Sequence, residues 1–120
     1  MQVLFDGSDE DPEVGLGVLP GRSRRLPDDV KVPHMGWNTV TWTGPHAFVA
    51  GIPDGTRFYF VHSYAPDADP ALTVGVSEHG RTFGAAVARG NVFATQFHPE
   101  KSGEAGLAIY ERFVEAVKAA

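Results

Sequence analysis

The pattern of apolar and polar residues predicts a strand-rich chain. Five short runs are rich in apolar, aromatic or β-branched residues, and they lie at residues 37–42, 57–64, 72–77, 83–88 and 92–97. The second run is dense in aromatic residues, which predicts a strand buried on both faces. The last two runs are joined by a Gly-Asn turn pair, which predicts a β-hairpin.

Between these runs the sequence predicts loops and one short helical turn. Residues 21–29 are interpreted as a loop, whereas residues 30–33 are interpreted as the start of a strand with Gly36 at a bend. Residues 47–52 predict a single helical turn, followed by the turn signal Pro-Asp-Gly. Helix is therefore scarce before the C-terminal stretch.

The C-terminal stretch predicts an amphipathic helix. Ser102 is suited to the N-cap position, and Glu104 suits the first turn. Large apolar residues then recur at helical spacing, namely Leu107, Tyr110, Phe113 or Val114, and Val117. We expect the helix to pack this apolar face against a sheet.

The first five residues, Met-Gln-Val-Leu-Phe, are apolar, and no capping residue precedes them. Helices normally open on Ser, Thr, Asp or Asn, so this stretch is interpreted as the tail of an element. With so few predicted helices, the fold is either mostly β or an α/β fold in which part of a layer has been lost. The uncapped start favours the α/β interpretation.

Composition and charge exclude several classes of protein. The 120 residues amount to one domain, and 42% hydrophobic residues are typical of a globular chain. The net charge is −5 and the basic cluster at residues 22–25 is short, so we expect no nucleic-acid binding. Apolar runs are too short for a membrane span and there is no signal-peptide pattern, so we expect a soluble cytoplasmic protein.

The residues best suited to chemistry are His98 and Glu100, which flank a proline at a predicted strand end. An imidazole accepts a proton near neutral pH, and a carboxylate can fix its tautomer and stabilise the imidazolium that forms. The pair predicts a general base, but the chain has no cysteine to serve as its nucleophile. Zinc is a weaker interpretation: the candidate ligands are Glu100, His34, His62 and His98, but His34 and His62 are far apart in the sequence.

Four motifs, taken together, resemble one family. They are Gly-Leu-Gly-Val-Leu-Pro-Gly at residues 15–21, Val-Pro-His-Met-Gly-Trp-Asn at 32–38, Tyr-Phe-Val-His-Ser-Tyr at 59–64 and Gln-Phe-His-Pro-Glu-Lys-Ser at 96–102. In this order they resemble the class I, or triad, glutamine amidotransferases, and within them the glutaminase subunits of imidazole glycerol phosphate synthase. The resemblance extends over essentially the whole chain.

The resemblance implies an α/β fold with a mixed, flavodoxin-like sheet and a Cys-His-Glu triad that hydrolyses glutamine. The first residues of the chain match the end of the family's nucleophile elbow, whose cysteine would stand just before Met1. Residues 1–120 are therefore expected to be a partial amidotransferase domain, without the N-terminal strands, the oxyanion loop and the elbow cysteine. We predict that the chain by itself has no glutaminase activity.

The resemblance also assigns roles to individual residues. It makes His98 the general base and Glu100 the carboxylate that orients it. Four residues match positions around the glutamine substrate: Gln2, Glu10, Ser63 and Tyr64. Seven match the surface that docks on a (β/α)₈-barrel cyclase subunit: His34, Met35, Gly36, Trp37, Asn38, Tyr59 and Lys101. No metal or organic cofactor is implied.

Two other functions stay open at this point. The chain is alternatively a non-catalytic subunit that only docks on the cyclase, or the amidotransferase part of a different synthase. Taken alone, Tyr64 suits a core position as well as a substrate contact, and Trp37 also suits a core position. Binding without glutaminase activity would favour the docking function, whereas co-purification with a different synthase would favour the other.

Overall fold

The computed structural model describes residues 5–8, 11–14, 19–27, 29–90 and 92–119. Within those ranges the chain forms nine β-strands, two 3-10 turns and one α-helix. The strands are β1 (Phe5–Ser8), β2 (Asp11–Val14), β3 (Leu19–Arg25), β4 (His34–Trp42), β5 (Thr56–His62), β6 (Tyr64–Pro66), β7 (Thr73–Glu78), β8 (Thr82–Arg89) and β9 (Val92–Thr95). The 3-10 turns are Ala47–Val49 and Pro99–Lys101, and the helix is α1 (Gly103–Ala119). None of the described helical segments is long and apolar enough to cross a membrane.

The strands form two sheets. The larger has the order β5-β4-β7-β8-β9 with antiparallel neighbours, and the smaller has the order β2-β1-β3-β6. In the smaller sheet β1 pairs with β3 in parallel, so the strand pairing of the molecule is mixed. Strand-rich sheets followed by a C-terminal helix confirm the predicted arrangement of elements.

Alternating burial sets the orientation of β4 and β5. Along β4, His34 and Val40 are buried, whereas Met35 and Trp37 are exposed. Along β5, every second side chain from Phe58 onward is buried and the intervening ones are only partly so. The prediction that this aromatic strand is buried on both faces is therefore wrong. Its outward aromatic residue lies on a surface, because successive side chains of a strand point to opposite faces.

The segment after β9 links β8 to β5, which lies at the other edge of the larger sheet. The backbone N–H of Gln96 donates to the carbonyl of Ala85, and the N–H of His98 donates to the carbonyl of Tyr59, both at 2.8 Å. Between these bonds Phe97 is buried in the core. The topology thus delivers His98 to the edge of β5.

The core lies under this crossing and is dominated by aromatic rings. Phe97 stacks on Phe58 with ring centroids 4.1 Å apart, and Phe60 meets Phe83 edge to face at 5.9 Å. Each such buried side chain stabilises the fold by about 1.5–3 kcal/mol relative to exposure. The largest fully buried side chains are Phe58, Phe60, Phe83, Leu26, Val40, Val87, Pro66, Ser23 and Ser102.

Helix α1 buries a different face from the one that its apolar spacing predicts. Ile109 is buried, whereas five large apolar side chains are exposed: Leu107, Tyr110, Phe113, Val114 and Val117. The reason is steric, since a Cβ at Gly106 would collide with the carbonyl group of Pro99. Small side chains let α1 approach the preceding turn closely, and the larger ones stay largely exposed, although the Phe113 ring meets that of Phe48 edge to face at 5.6 Å.

Several element boundaries also differ from the sequence prediction. Residues 21–25 belong to β3 and are not loop, because β1 and β6 supply pairing partners that the local pattern does not reveal. Residues 30–33 are not strand, and β4 begins after the cis peptide bond between Val32 and Pro33. The β8–β9 hairpin and the helical turn near residue 48 are confirmed. Of the predicted element tail at residues 1–5, residues 1–4 lie outside the described residues, and Phe5 is the first residue of β1.

Candidate active site

The 3-10 turn Pro99–Lys101 holds His98 and Glu100 side by side. His98 has an extended backbone (φ −100°, ψ 98°), and Pro99 occupies the first position of the turn, where its fixed φ is compatible with helical geometry. Nδ1 of His98 lies 2.7 Å from Oε1 of Glu100. A carboxylate only accepts hydrogen bonds, so His98 Nδ1 carries the hydrogen and Nε2 is the nitrogen that can accept a proton.

The electrostatics of the pair suit this arrangement. The pKa of Glu100 is lowered by the hydrogen bond from its own backbone N–H and then by the bond from His98. The carboxylate is therefore ionised throughout the neutral range. The His98 side chain is 38% exposed, so a substrate or a nucleophile can reach its imidazole. The two groups can act as a base and its orienting anion.

Ser102 fixes the backbone of this dyad to β5. Its hydroxyl donates to the carbonyl of His98 at 2.6 Å and accepts the backbone N–H of Tyr59 at 3.0 Å. The side chain is almost completely buried, with 2% exposure. Sequence reasoning treats Ser102 as an N-cap; its carbonyl does accept the first helical N–H, from Gly106. The bond that its hydroxyl accepts from the Tyr59 N–H is long-range in the sequence, so no local pattern signals it.

Two of the four predicted substrate residues lie in the described part of the chain. Ser63 is the single residue between β5 and β6, and Tyr64 begins β6, so both stand where the chain leaves the larger sheet for the smaller one. The Ser63 carbonyl accepts the N–H of Leu26 at 2.8 Å, which anchors this junction. Gln2 and Glu10 lie outside the described residues.

The predicted docking residues separate into two groups. Trp37 is 53% exposed, meets the Tyr59 ring edge to face at 6.1 Å and shares its face of β4 with exposed Met35. Nζ of Lys101 lies 5.9 Å from the Tyr59 ring centroid, within cation–π range. The structure thus places four of the predicted residues on one outward surface, which we call the aromatic face: Met35, Trp37, Tyr59 and Lys101.

The other three predicted docking residues lie on β4 away from the aromatic face. His34 is buried with 4% exposure, and Asn38 is partly buried and donates to the Glu78 carbonyl at 2.9 Å. Gly36 lies between them with φ +121°, a conformation that favours glycine. As regards a metal, the described residues contain no group of three or more His, Cys, Asp or Glu side chains placed to hold an ion.

The glutamine amidotransferase class-I family model matches residues 8–117, which include the dyad and both described substrate candidates. The chain belongs to this family. The family model covers nearly all of the sequence, and the observed His98–Glu100 contact lies within the matched residues.

Three curated relatives within this family are about half identical to the chain. The amidotransferase chain is 52% identical over 124 residues to the imidazole glycerol phosphate synthase subunit HisH of Aromatoleum aromaticum, which covers 94% of the chain and 58% of that protein. It is 52% identical over 122 residues to the same-named subunit of Chromobacterium violaceum (94% and 57%) and 49% identical over 121 residues to that of Moorella thermoacetica (98% and 57%). The chain thus spans less than two thirds of the length of these relatives.

Proposed function

We propose that this chain contributes the base half of a glutaminase that serves imidazole glycerol phosphate synthesis in histidine biosynthesis. The observation that supports the proposal most directly is the 2.7 Å contact between His98 and Glu100, which leaves Nε2 to act as the base. The relatives are subunits of that synthase by name. The chemistry of the dyad matches what hydrolysis of a glutamine side-chain amide requires.

In the proposed reaction a cysteine thiol attacks the amide carbon of glutamine. His98 takes the thiol proton at Nε2 and returns it to the departing nitrogen, which leaves as ammonia when the C–N bond breaks. Water then hydrolyses the γ-glutamyl thioester to glutamate, with His98 again as the base. Glu100 holds Nδ1 and stabilises the imidazolium. Because none of the 120 residues is a cysteine, the thiol has to be supplied from outside them.

Ser63 and Tyr64 are proposed to border the glutamine site. They form the junction between the two sheets, and β5, which they follow, also bonds to the segment that carries His98. A hydroxyl and backbone groups at such a junction suit an amide substrate, since both can donate and accept hydrogen bonds. Gln2 and Glu10 remain proposed contacts, in which the carboxylate would pair with the substrate ammonium group.

The aromatic face is proposed to dock on a (β/α)₈-barrel cyclase that consumes the ammonia. An exposed Trp and Tyr pair next to a lysine has the composition of an interface anchor, because Trp and Tyr are enriched among residues that dominate binding energy. Buried His34 and partly buried Asn38 would support this face from behind β4. Tyr59 belongs to the face and accepts the His98 N–H, so docking and the base are close together.

Glutamate release tests the proposal. The chain is mixed with the cyclase, with and without the segment of the Chromobacterium violaceum subunit that lies outside the matched region. The mixture without the segment should release no glutamate above a His98→Ala control, and turnover above that control would contradict the predicted inactivity. With the segment, turnover should appear and should fall by about 10²–10⁴ in His98→Ala. Full activity of the complemented His98→Ala protein would exclude His98 as the base.

A non-catalytic docking subunit is the second candidate. It is favoured by the presence of a formed aromatic face in a chain that has no nucleophile of its own. In that case the chain would bind the cyclase and yet release no glutamate even when complemented. Co-purification with a different synthase would instead point to an amidotransferase of another pathway.

A further inference from the structure

Two buried histidines outside the dyad form part of a continuous hydrogen-bonded chain. His34 and His62 are partners in the β4–β5 register, and Nδ1 of His34 lies 2.9 Å from Nε2 of His62. Nδ2 of Asn38 lies 3.2 Å from Nε2 of His34, and Nδ1 of His62 lies 3.1 Å from the carbonyl oxygen of Tyr64. We call these four groups the histidine relay.

The two ends of the histidine relay fix the direction of every bond in it. The Asn38 amide is oriented independently, because its oxygen accepts the Thr39 N–H at 2.7 Å and its nitrogen donates to the Glu78 carbonyl. Asn38 is therefore a donor to His34, and the carbonyl of Tyr64 can only accept from His62. A neutral imidazole has one N–H and one acceptor nitrogen. Both histidines must accept at Nε2 and donate from Nδ1.

The surroundings of the histidine relay keep both imidazoles neutral. Burial is the largest cause that lowers the pKa of His34 and of His62 to about 4. The neighbours that act in the same direction are groups whose protonated forms are positive: His62 and His79 on His34, and His79, Arg81 and His98 on His62. Only the bond to the Tyr64 carbonyl favours the charged form of His62. A neutral, fully oriented relay is the result.

The histidine relay runs from the strand of the aromatic face to the junction of the sheets. Asn38 follows exposed Trp37 on β4, while the Tyr64 carbonyl lies just beyond Ser63, where β5 gives way to β6. Besides the pairing of β6 with β3 and the Arg81 bond to the Ala65 carbonyl, the described hydrogen bonds at this junction include the Leu26 bond to Ser63 and the relay bond to Tyr64. The relay thus connects the inner side of β4, the strand that carries Trp37, to the proposed substrate residues Ser63 and Tyr64.

We propose that His34 and His62 are positioning residues, and that the histidine relay holds Ser63 and Tyr64 in place for the substrate from the strand that bears the aromatic face. The functional part of this inference rests on the proposed glutaminase function. Only one arrangement of hydrogens satisfies all three bonds, so loss of one donor leaves a buried acceptor unpaired, which is strongly unfavourable. A change at His34 should therefore alter the hydrogen bonding of Tyr64, although the relay links the two residues through His62.

Nitrogen-15 NMR of the full chain tests the relay directly. Both histidines should show the neutral Nδ1–H tautomer at pH 7, with scalar coupling across the bond from His34 to His62. His34→Phe keeps a ring in the space but removes the donor, so it should shift the His62 nitrogen signals and the Tyr64 amide signal. His34→Asn places an amide nitrogen near the former Nδ1 and should restore most of both signals.

A matched control comes from His79, whose ring stacks on that of His34 at 4.2 Å without belonging to the histidine relay. His79→Phe should leave the His62 tautomer unchanged and should move the His62 and Tyr64 signals less than His34→Phe does. An Nε2–H tautomer in the unchanged chain, or equal effects of His34→Phe and His34→Asn, would overturn the positioning role, since the second result would show that a hydrogen-bond donor at this position does not hold His62 and Tyr64.

Titration of the same samples with glutamine separates this inference from the proposed function. Glutamine should shift the Ser63 and Tyr64 signals of the unchanged chain, and His34→Phe should weaken that binding about tenfold, the effect of losing one buried hydrogen bond. Equal binding by the two proteins would overturn the inference while the proposed function stands. No glutamine response in the unchanged chain would overturn the substrate role of the relay, whatever the tautomers are, while glutamate release from the complemented mixture decides the proposed function separately.

Discussion

The backbone carbonyl of Tyr59 accepts the backbone N–H of His98 at 2.8 Å. The ring of the same Tyr59 lies edge to face with Trp37 and within cation–π range of Lys101. One residue of β5 therefore contacts the proposed base through its backbone and forms the aromatic face with its side chain. A partner that displaces the Tyr59 strand by a fraction of an ångström would move the backbone of His98 with it.

Ser102→Ala should destabilise the fold and release the base segment. The buried hydroxyl of Ser102 bridges the His98 carbonyl and the Tyr59 N–H, so its removal takes this partner from two part-buried backbone groups, of which the carbonyl keeps its bond from the Lys101 N–H. We expect the free energy of unfolding to fall by about 1–3 kcal/mol. Urea unfolding followed by fluorescence measures the loss.

Ser77→Ala is the matched control for that variant. Ser77 is also buried, and its hydroxyl donates to the Thr39 carbonyl at 2.9 Å, on the β4–β7 side of the sheet. The Ser77→Ala protein should also be less stable than the unchanged chain, but the NMR signals of the His98 ring should move only in Ser102→Ala. Unchanged His98 signals in Ser102→Ala would show that the serine does not position the base.

Gly106→Ala should destabilise the protein although alanine is the better helix former. In an unhindered helix the change would stabilise by up to about 1 kcal/mol. Here a Cβ would collide with the carbonyl group of Pro99, and overpacking of this kind costs about 1–3 kcal/mol. Thermal unfolding should show a lower midpoint, whereas Ala116→Gly on the same helix should lose only about 1 kcal/mol. A raised midpoint for Gly106→Ala would show that α1 has room to shift.

The steric constraint at Gly106 also explains why the apolar spacing of α1 predicts the wrong buried face. Helical spacing finds an apolar stripe, but α1 has a second, narrower face of Ile109 and small residues, and only tertiary contact decides which one is buried. By contrast, the β8–β9 hairpin is predicted correctly because its turn chemistry is local. Strand β3 is missed because its pairing partners are distant in the sequence.

The site shows the same division between local and long-range information. His98 and Glu100 are two residues apart, so their contact is predictable from spacing and chemistry. The bond from the Tyr59 N–H to the Ser102 hydroxyl and the contact of His34 with His62 each join two elements that are distant in the sequence, and neither is visible in a linear pattern. Motif resemblance does select the stretches that contain all of these residues, but it does not say which of them bond to one another.

Stability should fall as the pH is lowered from about 6.5 towards 4, because of His34 and His62. Their pKa in the folded protein is lowered to about 4, mainly by burial, from an ordinary value of 6.5. Between these values the unfolded chain binds more protons than the folded one, so the free energy of unfolding rises with pH. The part of the free energy of unfolding that depends on these two histidines is lost by about pH 4, and it should be on the order of a few kcal/mol.

Urea unfolding at pH 5 and pH 7 measures this dependence above the range in which carboxylates titrate. Replacing both histidines by phenylalanine keeps the rings but removes the titrating groups, so the double variant should lose most of the difference between the two pH values. An equal difference in the double variant would show that other groups are responsible, of which His46, whose pKa burial also lowers, is the first to test.

Trp37→Ala should weaken binding to the cyclase while the chain stays folded. Trp37 is 53% exposed and packs as a cross-strand pair with Tyr59, so the free energy of unfolding should fall by no more than about 1 kcal/mol. If the aromatic face is the docking surface, truncation of its central indole should cost about 2 kcal/mol or more of binding free energy, a loss of at least about thirtyfold in affinity. Calorimetric titration with the cyclase measures it. Thr41→Ala, an exposed change farther along the same strand, should bind normally, and equal affinities for all three proteins would place the cyclase contact elsewhere.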